Sequence, residues 1–344
     1  MRIAIISPYS TGPIRGNIVT VNRISTFLRR AGVELLVLPA DTLSAEEMEL
    51  QLNFFAPQLI HAFHARYCGG IARHLASRLN LPLAITITGS DLHDPSLRNH
   101  TDTVLALEAA KGIVCFNAGE AQELSAYFPL IANQVTVISQ GVERLTVTAA
   151  NSFGFTDNEL VVLLPAAARA VKQIEFPLRA LAPLLPRLPA IRLAIAGGII
   201  DHDYAASIRD MLREAPYAVW LGEVLREQMG ALFARADVVL NCSRFESMPN
   251  SLLEAMALGR TVLAVDIPGN RTLVRDGDTG LLYRDSDSFS TAIIRLAEDA
   301  ELRTALGRRA MEFIREGFSP ENEAKEYIRL YRSLIASEDE GVSG

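Results

Sequence analysis

Apolar residues recur along this chain in short unbroken runs, each followed by a longer stretch of helical period. In the first half the runs are RIAIIS (2–7), ELLVL (34–38), QLIHAF (58–63), LAITITG (83–89), GIVCF (112–116) and QVTVIS (134–139). Amphipathic stretches separate them, among them Asn17–Ala31, Ser44–Phe55, Gly70–Leu79 and Gly119–Tyr127. Runs that are apolar throughout, without polar alternation, belong to strands covered on both faces of a parallel sheet. Their alternation with helices predicts a doubly wound α/β domain.

The pattern pauses at ERLTVTAANSFGFTDNE (143–159) and then resumes. New runs follow at ELVVLLPA (159–166), IRLAIAGG (191–198), AVWLGE (218–223), DVVLNCS (237–243), RTVLAVD (260–266) and GLLY (280–283). Two consecutive Rossmann-like α/β domains are therefore expected, over residues 1–150 and 151–319, facing each other across a cleft. One amphipathic helix, Pro320–Ser337, comes after the last strand. The strand-end loops are the expected walls of the site.

Length and composition narrow the class. A chain of 344 residues, 49% hydrophobic and 21% charged, suits two ordinary globular domains and excludes a disordered or fibrous one. Lys+Arg is 33 against Asp+Glu 40, a net charge of -7, which speaks against a nucleic-acid binder. Three scattered cysteines, Cys68, Cys115 and Cys242, form no zinc or disulfide framework and suit a reducing cytoplasm. The first apolar run is too short for a signal-peptide core, and no stretch approaches the ~18–20 apolar residues of a membrane span. No stable membrane insertion is expected. The six histidines show neither H-x-x-x-H nor HExxH, so no metal is expected.

Chemistry concentrates at four strand ends. In NCSRFESMPNSLLEAMALG (241–259) a polar turn leads into a short helix, with Asn250 as its expected cap and Gly259 as its end. Glu246 lies in the turn and Glu254 in the helix, where free amides at Ser251 and Leu252 would favour a diphosphate. A carboxylate just beyond would accept hydrogen bonds from ribose hydroxyls; alone, the pair fits a solvated helix and turn equally well. In LLPAAARAVKQIE (163–175), Arg169 and Lys172 fit a phosphate clamp or ordinary surface basicity. In SPYSTGPIRGNIVT (7–20), Gly12 and Gly16 allow close backbone approach and Asn17 fits a helix cap. That loop is not GxGxxG, which disfavours a dehydrogenase. At IHAFHARYCGG (60–70) and TITGSDLHD (86–94), His61, His64, Arg66, Asp91 and His93 are expected to converge, with at least one of His61 and His64 serving packing; Asp91 fits a cap or turn equally well.

The ordered set resembles glycosyltransferase family 4, the retaining nucleotide-sugar transferases of GT-B fold. It comprises the glycine loop, T-G-S-D, R-x-x-K, L-G-E, E-x7-E-A-M-A-L-G and D-I-P-G-N-R, and it spans nearly the whole chain. R-G-N-I-V-T, T-G-S-D-L, the S-Q-G of 139–141 and D-I-P-G-N resemble a narrower branch, that of glycosyltransferase 1 domain-containing proteins, with more distant similarity to selenosugar synthases.

The resemblance implies that Arg169 and Lys172 neutralise the donor diphosphate, Glu254 binds the ribose and Glu246 contacts the transferred sugar. The segment from Ser247 through Met248, Asn250 and Ser251 to Leu252 would hold sugar hydroxyls and phosphate through its amides. Gly222 and Val224, in Leu221–Val224, would line the base, and Gly16 and Asn17 would approach the diphosphate. The C-terminal helix would cross back onto the first domain, which would take the acceptor. Thr88 stands where many members have a histidine, so His64 or Asp91 would join Glu246 and Lys172 as catalytic groups.

The expected activity is retaining, metal-independent transfer from a nucleotide-diphospho-sugar, UDP-linked before GDP or ADP, with no cofactor. The acceptor is a small molecule, a glycan or a lipid. Two alternatives stay open: a selenosugar or thiosugar synthase acting on a small phosphate acceptor, and a nucleotide-sugar-binding protein with little transferase activity.

Overall fold

The computed structural model describes residues 1–10, 16–147 and 153–341, with side chains to 337. Gly12 of the first loop lies outside the described residues. The chain divides into two compact units. The first runs to Gly141 and regains the chain from Phe318 on; the second is Val142–Gly317.

The first unit holds a parallel sheet of β1 (Arg2–Ser7), β2 (Glu34–Pro39), β3 (Leu59–Phe63), β4 (Leu83–Thr86), β5 (Gly112–Cys115) and β6 (Val135–Val137). Its order is β2-β1-β3-β4-β5-β6, so the strand order reverses between β1 and β3. The strands are apolar on both sides because both faces are covered. One face meets the helices Ala45–Phe55 and Ala65–Leu79 through Met48, Leu52, Leu75 and Ala76. The other meets Gly16–Arg30 and the last helix, Pro320–Gly341, through Ile24, Leu28, Tyr327 and Tyr331.

Buried polar contacts fix that last helix. Arg23 donates to both oxygens of Glu323, each at 3.0 Å. His61 on β3 lies 2.8 Å from the Tyr331 hydroxyl and 2.8 Å from Thr86 Oγ1. Burial pushes the His61 ring down to about 3, so it is neutral.

Two boundaries differ from expectation for tertiary reasons. The helix expected from Gly70 begins at Ala65, because Gly69 is no breaker here. A Cβ there would sit 2.7 Å from Cβ of Ala106 on the helix Thr101–Ala109, so the glycine permits two helices to touch. The run expected to residue 89 stops at Thr86, where the chain turns into the loop that holds Asp91.

The second unit repeats the architecture with β7 (Leu160–Pro165), β8 (Ile191–Ala196), β9 (Ala218–Gly222), β10 (Val238–Asn241), β11 (Thr261–Val265) and β12 (Leu281–Tyr283). Its parallel order is β12-β11-β10-β7-β8-β9. The chain fills one side of β7 first and then returns to fill the other. The reversal therefore falls between β7 and β10, and a ligand crevice belongs beyond their carboxyl ends. Among the described residues, no helix is long and apolar enough to cross a membrane.

Candidate active site

The reversal in the second unit brings two loops together that are far apart in sequence. The loop after β7 carries Arg169 and Lys172; the loop after β10 carries Glu246. Arg244 N donates to Val171 O at 2.9 Å, and Cys242 Sγ lies 3.2 Å from Lys172 O, so one backbone bond and one side-chain contact stitch the loops together. Across this seam Lys172 Nζ donates to Glu246 Oε1 at 2.5 Å.

Oε1 also accepts from Ser243 Oγ at 2.7 Å and from Asn241 Nδ2 at 3.2 Å. The other oxygen, Oε2, makes no hydrogen bond among the described residues. Burial raises the Glu246 pKa, but the Lys172 ammonium, Ser243 and Arg169 outweigh it and hold the carboxyl below its ordinary range. Glu246 is thus a carboxylate with one oxygen clamped and one open. Arg169 is exposed at the edge of the same loop.

The helix after this loop is Asn250–Ala257. Asn250 is its first residue; the cap position belongs to Pro249, which supplies no side-chain bond, and this corrects the expected Asn250 cap. Leu252 N already donates to Pro249 O at 3.1 Å, so of the two amides expected to be free only that of Ser251 is open. Ser247 and Met248 are buried in the turn before it. Gly259 ends the helix at a φ of +69°, as a glycine should. Glu254 is buried and ion-paired with Arg226, the first residue of the helix Arg226–Arg235.

A groove of about 600 Å³ opens beside these loops at the ends of β8 and β9. Gly198, Ile199, Arg209, Trp220, Gly222 and Glu223 line it. Ala168 N donates to Gly198 O at 2.8 Å, which places Arg169 next to the groove wall. Gly197 is held to glycine because a Cβ there would overlap the Ala166 carbonyl. Its own carbonyl accepts from Trp220 Nε1 at 2.8 Å. Gly222 has a φ of +73°, and Val224 is buried just beyond it.

The candidates of the first unit do not gather as expected. His61 turns to the last helix. Arg66 pairs with Asp102 at 3.5 Å, and His93 lies 3.3 Å from Glu120, whose charge outweighs burial and raises the ring's pKa. Only His64, Ser90 and Asp91 come together. Asp91 is fully buried and accepts three amides: Ala65 N at 2.7 Å, Thr88 N at 2.9 Å and Gly89 N at 3.0 Å.

His64 caps the helix Ala65–Leu79 at a φ of +79°, its Nδ1 accepting from Arg66 N and Tyr67 N at 3.2 Å each. Because amides can only donate, Nδ1 carries no proton, and Nε2–H points to Ser90 Oγ at 2.9 Å. Both tie the loops after β3 and β4 together, His64 through Ser90 and Asp91 through the three amides. Gly16 is the first residue of its helix, so Asn17 lies within the helix and does not cap it.

Residues 159–299, most of the second unit, match the family described as Glycosyl transferases group 1. The second unit is a glycosyltransferase domain. Over 334 residues the chain is 25% identical to Glycosyltransferase 1 domain-containing protein 1 of Xenopus tropicalis, covering 93% of this chain and 94% of that protein. It is 25% identical to N-acetyl-alpha-D-glucosaminyl L-malate synthase of Bacillus anthracis over 94% of this chain and 85% of that one.

Among solved structures, sucrose-phosphate synthase from Thermosynechococcus elongatus superposes with a TM-score of 0.82 at 19% identity, over 98% of this chain and 99% of that one. Anabaena HepE in complex with UDP and glucose gives 0.80 at 18% identity, over 97% and 100%. These likenesses identify the GT-B fold. Arg226, Asn241, Gly197 and Trp220 went unread in the sequence. The I-A-G-G at a strand end pointed to the groove; nothing local marked the other three.

Proposed function

We propose that the chain is a retaining, metal-independent glycosyltransferase that takes a UDP-sugar and a small hydrophilic or glycan acceptor. The observation that carries this reading is the Lys172–Glu246 pair, with one carboxylate oxygen fixed by three donors and the other open. In this reading Oε2 accepts from a hydroxyl of the transferred sugar. Lys172 and Arg169 face the diphosphate and stabilise the charge that grows on it as the sugar departs. The Ser251 amide, at the positive end of its helix, adds a donor to phosphate. The groove beside Gly222 and Glu223 receives the base, and Glu254, held by Arg226, receives the ribose.

The bond from the anomeric carbon to the diphosphate oxygen breaks. The acceptor oxygen bonds to the same face of the sugar, and its proton passes to the leaving diphosphate. Positioning and fixed charge supply the rate. The relatives support the donor and acceptor class: HepE structures hold UDP and UDP-glucose, and the Bacillus protein is an N-acetyl-alpha-D-glucosaminyl L-malate synthase. Three buried unpaired cysteines support a reducing compartment, the cytoplasm.

Calorimetry with UDP, GDP and ADP tests the reading first, followed by UDP release from UDP-glucose and UDP-N-acetylglucosamine in EDTA. Preference for UDP with EDTA-resistant release is the expected result. Binding of none of the three nucleotides would overturn the reading.

A further inference from the structure

Glu246 lies in a turn, yet one of its oxygens receives three hydrogen bonds, and two of the donors come from residues with no assigned part in the reaction. Asn241 is the last residue of β10 and is almost wholly buried. Which end of its amide faces Glu246 can be deduced. Ser243 N, which can only donate, lies 3.2 Å from one side-chain atom of Asn241, and that atom is therefore Oδ1. Nδ2 is left to donate to Glu246 Oε1 at 3.2 Å.

A second residue locks the same orientation. Asn270, fully buried in the turn after β11, donates through Nδ2 to Asn241 Oδ1 at 3.0 Å and to Val265 O at 2.9 Å. Asn241 and Ala264 are register partners on β10 and β11, so this chain of bonds ties two neighbouring strand ends to the carboxylate. The D-I-P-G-N turn can approach so closely only because Gly269 lacks a Cβ, which would overlap the Glu246 carbonyl.

We infer that Asn241 and Ser243 are positioning residues that fix the rotation of the Glu246 carboxylate, so that Oε1 stays with Lys172 and Oε2 alone faces the sugar. The inference rests on the reading of Glu246 given above. A carboxylate held by Lys172 alone could exchange its two oxygens by rotation. Donors on three sides of Oε1 remove that freedom before substrate arrives, which is how a supporting set of hydrogen bonds preorganises a reacting group.

Asn241→Asp isolates the Nδ2 donor. One Asp oxygen still accepts from Ser243 N and Asn270 Nδ2, while the other opposes Glu246 with like charge. Substrate is whichever of UDP-glucose and UDP-N-acetylglucosamine the wild type turns over faster. The expected result is a kcat lowered by about 10- to 100-fold at UDP affinity and KM close to wild type, with a lower melting temperature because the new carboxylate is buried beside Glu246.

Wild-type kcat in Asn241→Asp would overturn the inference. If that variant unfolds, Ser243→Ala decides: lowered kcat at unchanged UDP affinity supports the inference, and wild-type kcat refutes it. Glu246→Gln separates the two levels. If it is impaired while Asn241→Asp is not, only the positioning inference fails. If it turns over like wild type, or the wild type uses neither donor, the reading of Glu246 fails and this inference with it.

Discussion

Arg226 donates to a carboxylate oxygen of Glu254, joining the first residue of one helix to the middle of another across 28 positions of sequence. Glu254 is the more buried partner, and the arginine contributes to compensating its charge. Residues proposed for the ribose thus stand on elements that follow β9 and β10. That relationship makes the two side chains a unit.

Glu254→Ala is expected to weaken UDP binding by about tenfold or more, because a ribose diol loses its acceptor. Arg226→Ala is expected to weaken it too and to lower the melting temperature, since it removes an ion pair from a buried carboxylate. The double variant should lose less UDP affinity than the two single losses combined. Calorimetry on the three proteins measures this, and full additivity would separate the residues.

Lys172 and the acid side of the activity profile are linked. Glu246 sits below its ordinary value of 4.5, so its ionised form is retained above that value and lost only as pH falls through the lower folded one. Lys172→Met removes the larger part of the compensation, leaving burial opposed by Ser243 and Arg169 alone. The acid limb of kcat/KM for UDP release should then move to higher pH, with UDP bound about tenfold more weakly. A limb that stays in place would show that the ammonium does not set the charge of Glu246.

His61 gives the fold an acid sensitivity of its own. The ring titrates at about 3 when buried, against 6.5 ordinarily, so between those values the unfolded chain takes up a proton that the folded one refuses. Stability from the neutral ring is complete above the unfolded value and declines as pH falls, by about 1.4 kcal/mol per pH unit. Urea melts between about pH 4 and 6 should show a steeper loss in wild type than in His61→Leu. Parallel slopes would assign the acid response elsewhere.

Glu323→Ala leaves the buried Arg23 guanidinium without its carboxylate. Removing one partner of such a pair is expected to destabilise by about 3–5 kcal/mol. Because both residues belong to the first unit, chemical denaturation should lower the transition of that unit, while UDP affinity, proposed for the second, stays near wild type.

Much of the architecture was legible because it is written locally. The twelve strands among the described residues all sit on apolar runs, and a run without alternation already means a sheet with two covered faces. Less legible was whatever depends on a distant neighbour. Gly69 and Gly70 look like breakers until Ala106 is placed against the first of them. His61 looks like a site residue until the last helix returns with Tyr331. Asp91 and His64 are buried against backbone amides, and no spacing reveals burial. Asn241, Asn270 and Arg226 are single polar residues in ordinary positions; only the turn after β11 brings Asn270 onto Asn241, and only the packing of two helices brings Arg226 to Glu254.

The return of the chain from Phe318 to the first unit also fixes an order of completion during synthesis. Gly141, where the chain leaves, packs so tightly on Pro320 that a Cβ would not fit between them. The second unit is thus an insertion whose own strands and helices are all made by Gly317. The first sheet, though translated earlier, keeps one face open over Phe63, Val114 and Ile138 until Tyr327 and Tyr331 emerge. On the ribosome the unit begun first is the one finished last.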